Sequence, residues 1–191
     1  MCGIAGLIAK DSPTLGNDLI NMLKELIHRG KDATGVALYE NRDTIDLRVS
    51  MTAAEYQKNL EKIIAGYGQT SNARIYQGQG IFTFFEASVD MDPGRISDLN
   101  WAIDSHPNLC VHSLGQQLKV YKDEGSAEEL QNCHKIPPIN GTHGIGHVRL
   151  ATESVENIKF AHPFISYIYP ELAIVHNGQF TNYFNMRRRM E

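Results

Sequence analysis

Hydrophobic positions along this chain come in short blocks whose period switches between that of a strand and that of a helix. Residues 3–9 (GIAGLIA) form an apolar run rich in small residues, which predicts a buried strand. Leu15, Leu19, Met22, Leu23, Leu26 and Ile27 follow at spacings of three and four, one face of an amphipathic helix expected to stop near Gly30. HRGKDATG is then a loop before the apolar VALYE segment. Residues 44–51 alternate, with Ile45, Leu47 and Val49 directed inward. Thr52 and Glu55 make a T-x-x-E capping pattern, opening a helix that carries Tyr56, Leu60, Ile63 and Ile64.

Farther along, residues 81–88 (IFTFFEAS) predict a strand, and Pro93 suits the first turn of a helix bearing Ile96, Leu99 and Ile103. LCVHSL and LKVYK read as two strands joined at Gly115 in a hairpin. Ser126 with Glu129 predicts a second capped helix. From Ile136 to Gly146 the composition turns to IPPINGTHGIG, a Pro/Gly-rich connection feeding GHVRLAT. Residues 165–169 and 172–176 predict two more strands, the second ending at Asn177-Gly178, and FTNYFNMRRRME begins a helix. The order lacks the regular strand–helix rhythm of a parallel sheet, and neither a repeat nor a linker divides it, so one domain over 1–191 is expected.

Composition narrows the class. The 191 residues are 42% hydrophobic and 21% charged, enough to bury roughly 70% of the surface of the unfolded chain without metal or disulfide staples. That apolar content excludes disorder, and 16 Gly with 7 Pro exclude a collagen-like chain. A formal charge of −4 argues against a nucleic-acid binder. The longest stretch free of Asp, Glu, Lys and Arg, Leu172 to Met186, is broken by His, Asn, Gln and Thr and does not suit a membrane span. The first ten residues lack the basic start and cleavage site of a secretory signal. Three scattered cysteines, Cys2, Cys110 and Cys133, make no disulfide framework and point to a reduced, cytoplasmic protein. His106, Cys110, His112 and the Cys133-His134 pair lack the short paired spacings of a zinc site, so no metal is expected.

Residue 2 carries the chemistry. Initiator methionine is normally excised before a small residue, which would leave Cys2 with a free α-amine beside its own thiol. An α-amine titrates near pH 7.7–8.0, close enough to neutrality to serve as a base, and the thiol is intrinsically the strongest side-chain nucleophile. One residue then supplies both groups. Cleaving an amide also needs donors aimed at a developing oxyanion. Asn177-Gly178, closing an apolar strand, offers a side-chain amide and an unobstructed N–H, although Asn-Gly is also a common hairpin turn. Arg149, at the end of another strand, could hold a carboxylate bidentately or be a structural arginine.

MCGIAGL, HRGKDATG at 28–35, GTHGIGHVRLATES at 141–154, AHPF at 161–164 and AIVHNGQFTNY at 173–183 stand in the order found in class II glutamine amidotransferases, the N-terminal-nucleophile (Ntn) type, which the chain resembles. The resemblance implies an α+β fold, a four-layer αββα sandwich of two antiparallel sheets. It implies that Cys2 attacks the side-chain amide of L-glutamine, that Asn177 and Gly178 form the oxyanion hole, and that Arg149 binds the α-carboxylate. Thr152 and His162 match positions lining the glutamine pocket; Arg29 and Gly30 match a segment that shapes it, and His176 supports the oxyanion pair.

The separation between HRGKDATG and GHVRLATES is longer than in compact members, which makes 66–136 a central insertion. With LKVYKDEG ahead of GTHGIGHVRLATES, the chain is most similar to the amidotransferase subunit of glutamate synthases. That implies ammonia passed to a partner synthase, with any flavin or iron–sulfur cluster on the partner and no cofactor here. The acidic residue that holds the glutamine α-amine in the family lies downstream of the Asn-Gly pair, beyond this chain, so either the chain continues natively or it is truncated and its site lacks that group. A homo-oligomer is compatible with the sequence. A hydrolase of another amide, and a non-catalytic regulatory or assembly subunit with the same fold, are the competing expectations.

Overall fold

The computed structural model describes residues 1–150, 158–169, 171–178 and 181–190. Two four-stranded antiparallel sheets dominate it. The first contains β1 (Gly3–Ser12), β2 (Ala33–Glu40), β7 (Leu118–Glu124) and β8 (Gly141–Arg149), in the order β1-β8-β2-β7. In the second, β3 (Ile45–Met51), β4 (Gly68–Gln77), β5 (Thr83–Met91) and β6 (Leu109–Gly115) run in the order β4-β5-β3-β6. Helices α1 (Leu15–Glu25) and α4 (Ala127–His134) cover the first sheet, while α2 (Gln57–Ala65) and α3 (Ile96–Asp104) cover the second. This is the α+β, four-layer αββα sandwich that the resemblance implies. A short pair, β9 (Phe164–Ile165) with β10 (Ala173–Ile174), and the exposed α5 (Tyr183–Met190) complete it.

Each sheet has its own helix-side core. Leu15, Leu19, Leu23 and Leu130 pack on Val36, Leu38 and Val148, whereas Leu60, Ile64, Leu99 and Ile103 pack on Leu47, Val49, Phe85 and Val111. The stripe expected for α1 is therefore correct at its centre, with Met22 and Ile27 left exposed at its margin. Where the two sheets adjoin, Arg48 lies 3.9 Å from the Tyr121 ring centre and Lys119 pairs with Asp46 at 3.1 Å, while Ile165 packs against apolar side chains of both.

Several elements differ from expectation. β6 and β7 do not form a hairpin; β6 bonds to β3 and β7 to β2, so the Gly115 link carries the chain from one sheet to the other. β4 is absent from the sequence reading because GQTSNARIYQ is polar and exposed along nearly its whole length, an edge strand without an inward alternation. β8 begins at Gly141, inside the expected Pro/Gly-rich connection, and β9 and β10 are shorter than expected. β1 runs on to Ser12 and is half-buried, with Ile4 and Ile8 exposed on one face. The central segment 66–136 is woven into both sheets, supplying β4, β5, β6 and β7 together with α3 and α4. No helix among the described residues is long and apolar enough to cross a membrane.

Candidate active site

The register of β1 against β8 sets the start of the chain beside the far end of β8. Gly3 pairs with Val148, so Cys2 falls beside the Arg149–Leu150 end of β8. Leu150 N donates to Cys2 Sγ at 3.5 Å, and the sulfur lies 3.9 Å from Leu150 O. From the other side Asn177 Nδ2 donates to Cys2 O at 2.8 Å. A carboxamide nitrogen carries two hydrogens, so Asn177 keeps one for another acceptor. Gly178 follows directly, and a Cβ there would come within 3.0 Å of the His176 ring. The thiol is half-buried, Met1 beyond it is exposed, and all three cysteines are free.

Gly30 lets HRGKDATG pack closely beneath this corner. A Cβ placed on Gly30 would come within 2.6 Å of Leu150 N, the same N–H that reaches the Cys2 sulfur. Arg29 precedes it in the 3-10 turn after α1, its Cβ beside Gly3. Both residues thus pack against the two strand ends that flank Cys2.

Cross-strand pairing then builds a row on one face of the first sheet: Ile4 opposite His147, His147 opposite Gly35, and Gly35 opposite Lys122. Arg149 is two residues after His147, on the same face by strand alternation, and buried at the end of β8. The 161–163 loop lies over Gly35, whose Cβ, if present, would sit 2.8 Å from Lys122 Cβ and 2.9 Å from Pro163 Cδ. This places His162 against His147, ring centres 4.6 Å apart, and against Phe164 at 4.5 Å. Burial pushes both imidazoles down to about 4; the neighbouring Arg149 adds to the shift of His147, and for His162 the other charged and imidazole groups nearby do so. Both rings are therefore neutral near pH 7.

The structure thus gathers Cys2, Asn177, Gly178, Arg149 and His162 around one end of the first sheet. Thr152 lies outside the described residues. His147, Gly35 and Lys122 were missed by the sequence reading. The available signal was the alternation itself, which puts His147 on the Arg149 face and Lys122 in line with the buried Leu118 and Val120.

One cluster among the described residues has metal-like spacing, Asp123, Cys133 and His134, with ligand atoms within 4.8 Å of one another. Its hydrogen bonds give it another role. His134 Nδ1 lies 3.0 Å from Arg48 NH2, which can only donate, so Nδ1 accepts and Nε2–H donates to Asp123 Oδ2 at 2.9 Å. Tyr76 and Glu86 complete the junction between the sheets. The other histidines weighed as metal ligands are dispersed: the His106 ring meets Tyr56 edge-on, centres 5.5 Å apart, and His112 is buried against Phe84.

No family model matches the chain. It is 32% identical to the "Putative glutamine amidotransferase" of Methanothermobacter thermautotrophicus, an alignment covering all of this chain and 65% of that protein. It is 29% identical to the glutamine amidotransferase-like protein GlxB of Rhizobium meliloti, over all of this chain and 62% of that protein. A partial match, 40% identical over 44% of this chain and 13% of the relative, is to the glutamine–fructose-6-phosphate aminotransferase (isomerizing) of Bacteroides thetaiotaomicron. The chain therefore spans less than two thirds of the length of the relatives it matches from end to end, and those relatives are named as glutamine amidotransferases or as like them.

Proposed function

We propose that this chain is the glutamine-hydrolysing domain, 1–191, of a class II glutamine amidotransferase. The observation that carries the reading is the meeting of Cys2 with the Arg149–Leu150 strand end and with Asn177, three segments distant in sequence. After Met1 is removed, the freed α-amine takes the thiol proton and the sulfur attacks the side-chain amide carbon of glutamine. The second N–H of Asn177 and the Gly178 N–H stabilise the oxyanion. The carbon–nitrogen bond breaks, ammonia leaves with the proton from the α-ammonium, and a γ-glutamyl thioester remains. Water, deprotonated by the same amine, cleaves that thioester to glutamate and restores the thiol. Arg149 holds the substrate α-carboxylate, and Thr152 and His162 line the pocket.

The ammonia passes to a partner synthase, which would bear any flavin or iron–sulfur cluster. A glutamate synthase is the acceptor we propose, on the similarity of the LKVYKDEG and GTHGIGHVRLATES segments to its amidotransferase subunit. The relative named for fructose-6-phosphate amination supports a second reading, a sugar-phosphate acceptor. Three free cysteines and the absence of a membrane-crossing helix among the described residues suit a cytoplasmic setting.

The test is glutamine-dependent ammonia release by purified full-length protein, with each candidate synthase added in turn and Cys2→Ala as blank. Turnover, loss of Met1 by intact mass and labelling of Cys2 by a diazo-ketone glutamine analogue are the expected results. A retained methionine without labelling would establish the non-catalytic subunit, and turnover of other amides in preference to glutamine the alternative hydrolase.

A further inference from the structure

The face of the first sheet that carries His147 and Arg149 also holds a cation whose burial packing does not explain. Lys122 is 5% exposed, and among the described residues no carboxylate stands within ion-pair distance of its ammonium. Its Nζ instead donates to two main-chain carbonyls, Ala161 O at 3.0 Å and Pro163 O at 3.3 Å, and lies 5.3 Å from the Phe164 ring centre. Withdrawing an ammonium from water without a counter-charge is costly. That cost is visible in its proton affinity: burial pushes Lys122 down to about 8, against the pull of Cys110 and Asp104. An apolar side chain of similar length would fill the position beside Val120 at lower cost.

What the cation holds is specific. The two accepting carbonyls belong to the residues immediately before and after His162. Gly35 leaves the gap into which this loop settles, and the His162 ring then rests on His147. Lys122 touches neither Cys2 nor any atom expected to react. Its contacts lead to the pocket wall and stop there.

We propose that Lys122 is a positioning residue for the amide substrate, fixing the 161–163 loop so that His162 keeps its place over His147. The proposal rests on the reading of this corner as a glutamine pocket. It separates two properties of the protein: substrate binding depends on the cation, while the reactivity of the thiol does not, and overall stability is held down by it.

The test uses full-length protein carrying Lys122→Met. Its melting temperature should equal or exceed that of the wild type, because an unneutralised buried charge has been removed. The glutamine KM should rise about tenfold or more, in line with the loss of a charge-assisted hydrogen bond, while kcat and the rate of Cys2 alkylation by iodoacetamide stay near wild type. A variant that melts lower and loses kcat and KM in parallel would show a merely structural lysine and overturn the proposal, as would an unchanged KM. Gly35→Ala pushes the same loop from beneath without removing the cation; it should give the same KM-selective defect, and an unchanged KM there also overturns the proposal, whether or not the methionine variant folds. The ring resonances of His162 in histidine-labelled protein supply a readout free of turnover. Shifted or broadened signals in Lys122→Met support the assignment, and unmoved signals reject it. A wild type without glutaminase activity would refute the functional reading alone, because this last measurement still decides the role of Lys122.

Discussion

Gly30 never bonds to Cys2, yet it governs where the sulfur can sit, because the Leu150 N–H that reaches the sulfur passes directly over it. A methyl group there has no room, so Gly30→Ala should displace the Arg149–Leu150 backbone and with it one wall of the nucleophile. Misplacements of about 1 Å can cost on the order of 10²-fold in rate, and kcat/KM for glutamine should fall by that order with the fold intact by circular dichroism. Asn177→Ala removes a donor from the opposite side. It should cost roughly 2.7–4 kcal/mol of transition-state stabilisation, read as a fall in kcat, and a folded variant with full rate would remove Asn177 from the oxyanion hole. Cys2, Arg149 and Asn177 were legible in the sequence because they are chemistry-bearing residues at the ends of apolar runs. Gly35, His147 and Lys122 were not, since their meaning comes from lying opposite one another across three strands, and that register appears only when β2, β7 and β8 are paired.

Among the elements, the two capping patterns had equal standing as sequence and unequal outcomes. Ser126 accepts from Glu129 N while the Glu129 carboxylate accepts from Ser126 N, a complete capping box on α4; that contact also holds the Glu129 carboxyl below its usual range. Thr52 does not cap α2. Its hydroxyl donates to Asn108 Oδ1, and the chain enters the helix through a short 3-10 turn at 54–56 instead. Ser126→Ala should therefore destabilise the protein by about 1 kcal/mol in chemical denaturation. The effect reaches beyond the helix, because α4 ends at His134, which is bonded to Asp123 and Arg48 where the sheets meet. The same limit explains the β6–β7 error. Alternation in LCVHSL and LKVYK fixes that each is a strand and which face is buried, but says nothing of its partner, and adjacency made a hairpin the simplest guess. β3 and β2, the true partners, lie far earlier in the chain.

For the whole molecule, acid is the most revealing perturbation, because three buried histidines, His112, His134 and His147, and the half-buried His162 are held in their neutral form. Burial holds His112 well below its ordinary value, lowers His134, and brings His147 and His162 to about 4. In the unfolded chain each binds a proton near pH 6.5, so between about 6.5 and 4 the unfolded state takes up protons that the native state refuses, and stability drains away as the pH falls. Asp104 acts in the opposite sense: burial raises its carboxyl, which favours the native state on acidification, but it is one group against four. The upper part of the window, from pH 6.5 to 5, isolates the histidines, because carboxylates of ordinary affinity remain ionised there. Urea midpoints should decline across that interval without a change in m-value, and calorimetry should record proton uptake on unfolding. A flat profile would mean that the rings are solvated and protonated in the native protein. That result would also undo the pocket as described, since an imidazolium pair at His147 and His162 beside Arg149 could not stay in ring contact.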